Sequence, residues 1–191
     1  MLFRLKHFCY TFIRFGQSHG FGVQSPFAYR FVKDIVRESY PYYAYSTLAE
    51  KYPDQKRNRL RLLRFYLRLS NFLQSKVIVS NEIKSIDLDY FRAGCKAASL
   101  FSSHVKPDLV LLQSIDDDIE YYQRFLEDNI VKMSDKSVLI IEDIHLNSSA
   151  RDLWSKVIKD FRVGVTFDLY DCGIAFFDLK MHKYNYTLML K

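Results

Sequence analysis

Two patterns of hydrophobic residues divide the chain near residue 75. Before it, apolar residues recur at the spacing of an amphipathic helix, most clearly over residues 55–74. After it, short and continuous apolar runs alternate with polar stretches of helical length. Such alternation indicates a mostly parallel sheet with helices on both faces. We therefore expect two parts, an N-terminal helical region over residues 1–75 and an α/β domain over residues 76–191.

The start and stop signals place the elements within this frame. Ser25 and Pro26 are residue types that begin a helix. This helix should end near Tyr40, because the residue before a proline disfavours the helical conformation. Gly173 lies between two apolar runs and predicts an antiparallel hairpin. The predicted helices are residues 1–15, 26–40, 46–52, 55–74, 90–104, 116–131 and 148–159. The predicted strands are residues 77–79, 108–112, 137–141, 163–169, 173–177 and 186–190, with a short strand or turn at 85–88.

Composition narrows the class of protein. The chain of 191 residues is 49% hydrophobic and 16% aromatic, which is enough apolar material for a folded core and argues against general disorder. Its three cysteines are far apart and form no metal-binding or disulfide pattern. No uncharged run of signal-peptide or membrane-spanning length is visible, so we expect a cytoplasmic protein.

Positive charge is concentrated in the first 70 residues, which hold 13 Lys and Arg against 4 Asp and Glu. Arg57, Arg61, Arg64 and Arg68 recur at helical steps and form a basic stripe on one helix. Such a stripe can bind phosphates, but the sequence shows no aromatic and basic recognition motif beside it. We expect a solvent-exposed helix face, and a nucleic-acid-binding module that uses residues 57–68 remains an alternative.

The turn after the first predicted strand contains no glycine. In α/β proteins that bind nucleotides or related cofactors this turn is normally glycine-rich, because glycine lets the backbone approach the ligand. Here residues 80–85 read Ser-Asn-Glu-Ile-Lys-Ser, and the only glycine between residues 23 and 163 is Gly94. This absence argues against close cofactor binding at the first strand.

Two segments carry a resemblance to a known family. In residues 137–178 an apolar strand ends in Glu142, Asp143 and Ile144, a helix with Trp154 follows, and a hairpin contains Gly173. This segment resembles the C-terminal half of class I S-adenosylmethionine-dependent methyltransferases, in particular a bacterial group of O-methyltransferase type. Residues 19–27 and 42–44 resemble the N-terminal signature of the same group. The resemblance implies a Rossmann-like methyltransferase sheet, mostly parallel, with an antiparallel C-terminal hairpin and preceding N-terminal helices.

The resemblance also implies a cofactor site, from which this chain departs. In the family an acidic residue and a glycine loop follow the first strand and enclose S-adenosylmethionine; the matching residues here are Ser80 and Glu82. An acidic residue usually follows the fourth strand, and this chain has Gln113. Ser80, Glu82 and Gln113 are therefore the candidate cofactor residues. The family's second and third strands are expected to be shortened or absent.

The acidic pair after the strongest strand is the candidate chemical centre. In metal-dependent O-methyltransferases this position helps to hold a divalent cation, which makes Glu142 and Asp143 candidate metal ligands. Two adjacent carboxylates are fewer than a tight site needs, although residues 116–118 could add more, and we do not expect a bound metal. Asp143 and His145 are the candidate catalytic residues, because histidine titrates near neutral pH and can act as a general base.

Three functions remain open. The first is a methyltransferase-like protein degenerate in cofactor binding, which acts as an interaction or regulatory module, with a homodimer or protein partner at its N-terminal region. The second is an active S-adenosylmethionine-dependent methyltransferase on a small acceptor. The third is the nucleic-acid-binding module, although nucleic acid is not the partner that we expect.

Overall fold

The computed structural model describes residues 25–102, 105–116 and 118–191. The predicted helix 1–15, residues 19–24 of the segment with the family resemblance and Asp117 lie outside the described residues. No helix among the residues that the structure describes is long and apolar enough to cross a membrane.

The described residues form one seven-stranded sheet. The strands are β1 (Val77–Ser80), β2 (Ser99–Phe101), β3 (Leu109–Leu112), β4 (Val138–Glu142), β5 (Val165–Asp168), β6 (Cys172–Phe176) and β7 (Tyr184–Thr187). Their order across the sheet is β2-β1-β3-β4-β6-β5-β7. Adjacent strands in the series β2, β1, β3 and β4 are parallel to each other, and β6 is antiparallel to both β4 and β5. The predicted fold class, mostly parallel with an antiparallel C-terminal hairpin, is confirmed.

Helices precede the sheet and connect its strands. They are α1 (Pro26–Phe31), α2 (Tyr43–Lys51), α3 (Arg57–Leu73), α4 (Ser85–Gly94), α5 (Ile119–Ile130) and α6 (Ser148–Lys159). Ser25 caps α1, because its hydroxyl accepts a hydrogen bond from the backbone N–H of Ala28 at 3.4 Å. A π-helical turn, Val32–Val36, continues α1, so this helix ends four residues before the predicted Tyr40.

Two predictions around α4 are wrong. Residues 85–88 form its first turn and not a strand or turn, and the helix predicted over residues 90–104 ends at Gly94. Cys95 is already extended, and Ser99–Phe101 then pair with β1 as strand β2. Ala97 and Ala98 have high helix propensity, but the ladder of hydrogen bonds between β2 and β1 decides the conformation, because tertiary context overrides propensity.

Both faces of the sheet are buried under helices, so the protein has three layers. In β3 and β4 alternate residues point to opposite sides, so that Leu109 and Val138 join one hydrophobic cluster and Val110 and Leu139 join another. Helices α1, α3 and α4 cover the first face, and α5 and α6 cover the second. This explains why the strand sequences are continuous apolar runs and do not alternate with polar residues.

The helices that precede the sheet share its core. Phe31 of α1 is fully buried, with its ring centroid 4.6 Å from that of Phe167 in β5 and 5.2 Å from that of Phe176 in β6. Buried residues of α3 belong to the same hydrophobic cluster. Residues from both predicted parts of the chain therefore pack in one continuous core.

Gly94 serves helix packing. A Cβ atom at this position would collide with backbone atoms of Leu67 and Asn71 in α3. The absence of a side chain therefore lets the end of α4 lie directly against α3. The single glycine of the central part of the chain is thus used between two helices and not in a loop at a strand end.

Gly173 is expected to be required for the contact between α6 and the hairpin. A Cβ atom here would lie 2.8 Å from Cε3 and Cζ3 of Trp154, which is buried. Gly173→Ala should lower the free energy of unfolding by about 1–3 kcal/mol, measured by urea denaturation, because overpacking displaces the indole ring. In a Trp154→Phe background the smaller ring leaves room, so the cost should shrink. An equal cost in both backgrounds would contradict the explanation.

Candidate functional site

The carboxyl ends of β1, β3 and β4 meet at one edge of the sheet, where open α/β sheets place their ligands. Ser80, Gln113 and Glu142 occupy these three ends. All three side chains are buried, and Ser80 and Gln113 are fully so. The structure therefore brings together two predicted cofactor residues and one predicted metal ligand, under a cover formed by other parts of the chain.

Glu142 is the centre of a buried hydrogen-bonded cluster. Its Oε1 accepts hydrogen bonds from Arg59 Nη1 at 2.7 Å, from Gln113 Nε2 at 2.6 Å and from the hydroxyl of Tyr66. Burial, followed by the negative charge of Glu142, raises the pKa of Tyr66 well above its ordinary value. The phenol therefore keeps its proton and remains a donor to the carboxylate.

Asp87 of α4 supplies a second carboxylate to the same cluster. Its Oδ1 accepts from Arg59 Nη2 and its Oδ2 accepts from Gln113 Nε2 at 2.9 Å. The side chain of Asp87 is fully buried, and that of Arg59 is 21% exposed. One guanidinium thus lies between two buried carboxylates, and we call Arg59, Asp87, Glu142, Gln113 and Tyr66 the edge cluster.

The two carboxylates determine how the Gln113 amide must be oriented. Its two N–H bonds are both donated, one to Asp87 and one to Glu142. The reverse orientation would place the amide oxygen against two negative charges. The cost of the observed orientation is that Gln113 Oε1 is buried with no hydrogen-bond partner among the described residues.

Asn81 lies in the loop after β1, at the place where the resembling family has a glycine loop, and it fixes this loop through hydrogen bonds. Its Nδ2 donates to the backbone oxygen of Gln113, and its Oδ1 accepts from the backbone N–H of Gln113, both at 2.8 Å. This reciprocal pair ties the loop to the end of β3 through a side chain. The loop is thus anchored to the neighbouring strand.

Ser80 and Glu82, the other predicted cofactor residues, make local contacts. The hydroxyl of Ser80 accepts from the backbone N–H of Glu82 at 3.3 Å, and Glu82 forms an ion pair with Lys84. Burial opposes ionisation of Glu82, but the hydrogen bonds from Lys84 and Ser114 outweigh it and lower the pKa of the carboxyl. Glu82 is therefore ionised and partly exposed at the rim of the edge.

The predicted catalytic residues lie outside the edge cluster. Asp143 is more exposed than Glu142, and its backbone adopts a left-handed conformation with φ of 52°. Partial burial of the carboxyl, together with the charges of Glu142 and Asp171, raises the pKa of Asp143. His145 Nε2 lies 2.8 Å from Asp168 Oδ2, and its ring stacks on Tyr170. Both residues lie outside the edge cluster as defined above, and their catalytic role stays a prediction.

The predicted metal ligands Glu142, Asp116 and Asp118 make hydrogen bonds within the protein and do not form one group. Glu142 belongs to the edge cluster, whereas Asp118 caps α5 by accepting from the backbone N–H of Tyr121 at 3.1 Å. Asp116 accepts from the backbone N–H of Asp118 at 2.9 Å. In the part of the chain that the structure describes, no group of three or more His, Cys, Asp or Glu side chains could hold a metal ion.

Sequence reasoning missed three residues of the edge cluster, namely Arg59, Asp87 and Tyr66. Arg59 lies two positions from Arg57 and from Arg61, which places it about 200° round the helix from the basic stripe. An arginine on the otherwise apolar side of an amphipathic helix is the signal that could have identified it. Asp87 carried no such signal, because its segment was predicted as a strand or turn.

Removal of Arg59 is expected to destabilise the fold strongly. Arg59→Ala leaves Asp87 and Glu142 buried without a counter-charge, which should cost about 3–5 kcal/mol in the free energy of unfolding by urea denaturation. Arg57→Ala is the matched control, because it removes an exposed arginine of the same helix and should stay within about 0.5 kcal/mol of wild type. Similar losses for the two variants would show that the edge cluster does not stabilise the protein.

The titration of Asp87 provides a second test of the edge cluster. Burial, opposed by Arg59 and Gln113 and assisted by the charge of Glu142, raises the pKa of Asp87 above its ordinary value of 3.8. The stability that this group contributes is therefore fully present below pH 3.8 and is lost as the pH rises through the folded-state pKa. Carboxyl carbon chemical shifts should give a midpoint above 3.8, with Asp87→Asn assigning the resonance. A midpoint at or below 3.8 would contradict this environment.

Comparison with known proteins was informative at the level of structure. No protein-family model matches the chain, and no curated protein matches it in sequence. The methyltransferase PaMTH1 of Podospora anserina, solved with bound SAH, matches with a TM-score of 0.52 at 10% identity, over 81% of this chain and 96% of that chain. The O-methyltransferase TomG of Streptomyces achromogenes, solved with SAM, gives a TM-score of 0.44 at 12% identity, over 78% of this chain and 94% of that chain.

At 10% identity the likeness to the Podospora protein concerns the fold alone. The match to the Podospora protein extends over most of both chains. It agrees with the parallel strands β1, β3 and β4 followed by an antiparallel hairpin, the arrangement that the sequence resemblance implied. The chain therefore has a class I methyltransferase-like α/β fold.

Proposed function

We propose that this chain is a methyltransferase-fold protein that does not bind S-adenosylmethionine and acts as a non-catalytic interaction module. The observation that carries the proposal is the position of Arg59, whose guanidinium lies between Asp87 and Glu142 at the ligand-binding edge of the sheet. The edge that would receive a cofactor is occupied by the chain's own side chains.

The energetic argument concerns the two carboxylates. A ligand that entered between the strand ends would have to displace Arg59, because this side chain contacts both Asp87 and Glu142. Breaking a buried ion pair by removing one partner costs about 3–5 kcal/mol. Binding at this edge would therefore start with a large unfavourable contribution.

The chemistry of the cofactor is also a poor match to these residues. S-adenosylmethionine carries a positive sulfonium, which the guanidinium of Arg59 would repel. The carboxylates of Asp87 and Glu142, which could attract the sulfonium, already accept hydrogen bonds from Gln113. Asn81 lies in the loop whose backbone would need to approach the ligand. Aromatic side chains fill the adjacent space, since Tyr66 and Phe91 are fully buried and stacked at 4.7 Å.

Not every bulky side chain at or after these strand ends in the sequence fills the edge. Leu112 packs in the cluster on the opposite face of the sheet, and Tyr121 is exposed on α5.

The N-terminal region, residues 1–75, stays the predicted surface for a protein partner or a second copy of the chain.

An active methyltransferase is the second candidate, and backbone strain favours it. Ser114 and Asp143, which follow the ends of β3 and β4, have φ values of 53° and 52°. A left-handed conformation costs a non-glycine residue about 1 kcal/mol or more, and such strain is concentrated at functional sites. The fold is shared with the Podospora protein solved with bound SAH.

Isothermal titration calorimetry with S-adenosylhomocysteine separates the two candidates. We expect no binding at millimolar ligand by wild-type protein whose folding is verified by circular dichroism and cooperative unfolding. Micromolar binding that weakens in Glu82→Gln would overturn the proposal and support the enzyme, because Glu82 is the acidic residue at the rim. Arg124→Glu, an exposed change on α5, is the control for nonspecific effects of charge.

A further inference from the structure

A groove of about 850 Å³ lies on the outer side of α3, away from the edge cluster. Arginines of α3, among them Arg57, Arg61 and Arg64, form one wall, and a run of tyrosines that includes Tyr40, Tyr43 and Tyr45 forms the other. Its volume lies in the range of small-molecule sites.

The arginines of the groove differ in how far their charge is already used. Arg68 is 3% exposed and donates to the backbone oxygen of Ile35 at 2.8 Å, so the expectation that the whole stripe faces solvent is wrong at this position. Arg61 forms an ion pair with Asp171. Arg57 and Arg64 make no ion pair among the described residues, and they lie seven positions apart, which is about 10 Å along the helix.

Arg64 is held in place by the opposite wall. Its guanidinium lies over the ring of Tyr45, 4.9 Å from the centroid, and its Nε is buried with no hydrogen-bond partner among the described residues. The guanidinium is thus held over the tyrosine ring, and no hydrogen bond to another described residue uses its terminal N–H groups. Guanidinium groups bind phosphate through paired hydrogen bonds, for which such orientation is favourable.

The tyrosine wall presents exposed aromatic faces. Tyr43 is 92% exposed and Tyr40 is 61% exposed. Tyr42 packs between Tyr40 and Tyr45, with ring centroids at 5.6 Å and 5.3 Å, so the wall is a connected aromatic surface. A flat ligand ring can stack on such a surface while its charged group reaches the arginines.

We infer that this groove binds a nucleoside phosphate, with the phosphates on Arg57 and Arg64 and the base on the exposed tyrosines. The sequence showed the basic stripe without an aromatic partner, and the fold supplies that partner from α2 and the turn before it. This inference is independent of the proposed function, because the groove and the edge cluster use different residues on opposite sides of α3.

Calorimetry with ADP tests the inference on the full chain. ADP should bind more tightly than adenosine, which lacks the phosphates, and more tightly than pyrophosphate, which lacks the base. Arg57→Glu and Arg64→Glu should each weaken ADP binding about tenfold or more, because each removes charged hydrogen bonds. Tyr43→Ala should weaken ADP but not pyrophosphate. Both Arg57 and Tyr43 are exposed, so their variants remain informative if Arg64→Glu does not fold.

Controls identify the site and the source of the ligand. Arg124→Glu, with the same charge change on α5, should bind ADP as wild type does. Loss of binding in Glu82→Gln but not in Arg57→Glu would place ADP at the strand edge and overturn the inference, as would the absence of ADP binding. A twelve-nucleotide single-stranded oligomer forms the second arm. Tighter binding of the oligomer, with steep salt dependence and the same sensitive residues, would identify a polymer as the source of the nucleoside phosphate.

Discussion

The contact of Arg59 with the buried carboxylates of Asp87 and Glu142 is the interaction on which the edge of this fold depends. It joins α3 to α4 and to the end of β4, with sequence separations of 28 and 83 residues. Displacing the guanidinium or either of the two buried carboxylates would cost free energy, because it would leave the remaining charges unpaired. The position of α3 over the strand ends and the closure of that edge therefore have the same cause.

The consequence is a division of roles between two sides of one helix. The inward side of α3 carries Arg59 and Tyr66 and completes the edge of the sheet. The outward side carries Arg57 and Arg64 toward the tyrosines, where charge and aromatic surface remain available. On our proposals, the strand ends do not bind a cofactor, and the groove between the arginines and the tyrosines is the surface that recognises a ligand.

Predictions succeeded where a local pattern has only one physical solution. A continuous apolar run must be buried on both sides, so β3 and β4 were predicted within one residue, and α6 was predicted with its bounds. They failed between residues 85 and 104: residues 85–88 begin a helix, and Ser99–Phe101 form a strand because they pair with β1. The edge cluster was predicted in part, because strand ends reveal Gln113 and Glu142 but not their partners.

By itself the sequence determined the class of fold, the sheet's buried strands and the absence of glycine at the first strand end, because periodicity and residue type act locally. Only the tertiary structure decided what replaced that glycine, which carboxylates are paired, and which arginines face solvent. Arg59 and Arg57 are two residues apart and chemically identical, and yet Arg59 is a mostly covered counter-ion to two buried carboxylates whereas Arg57 is exposed. Their difference arises from α3 packing against the sheet, since burial and partner charge are properties of the assembled core.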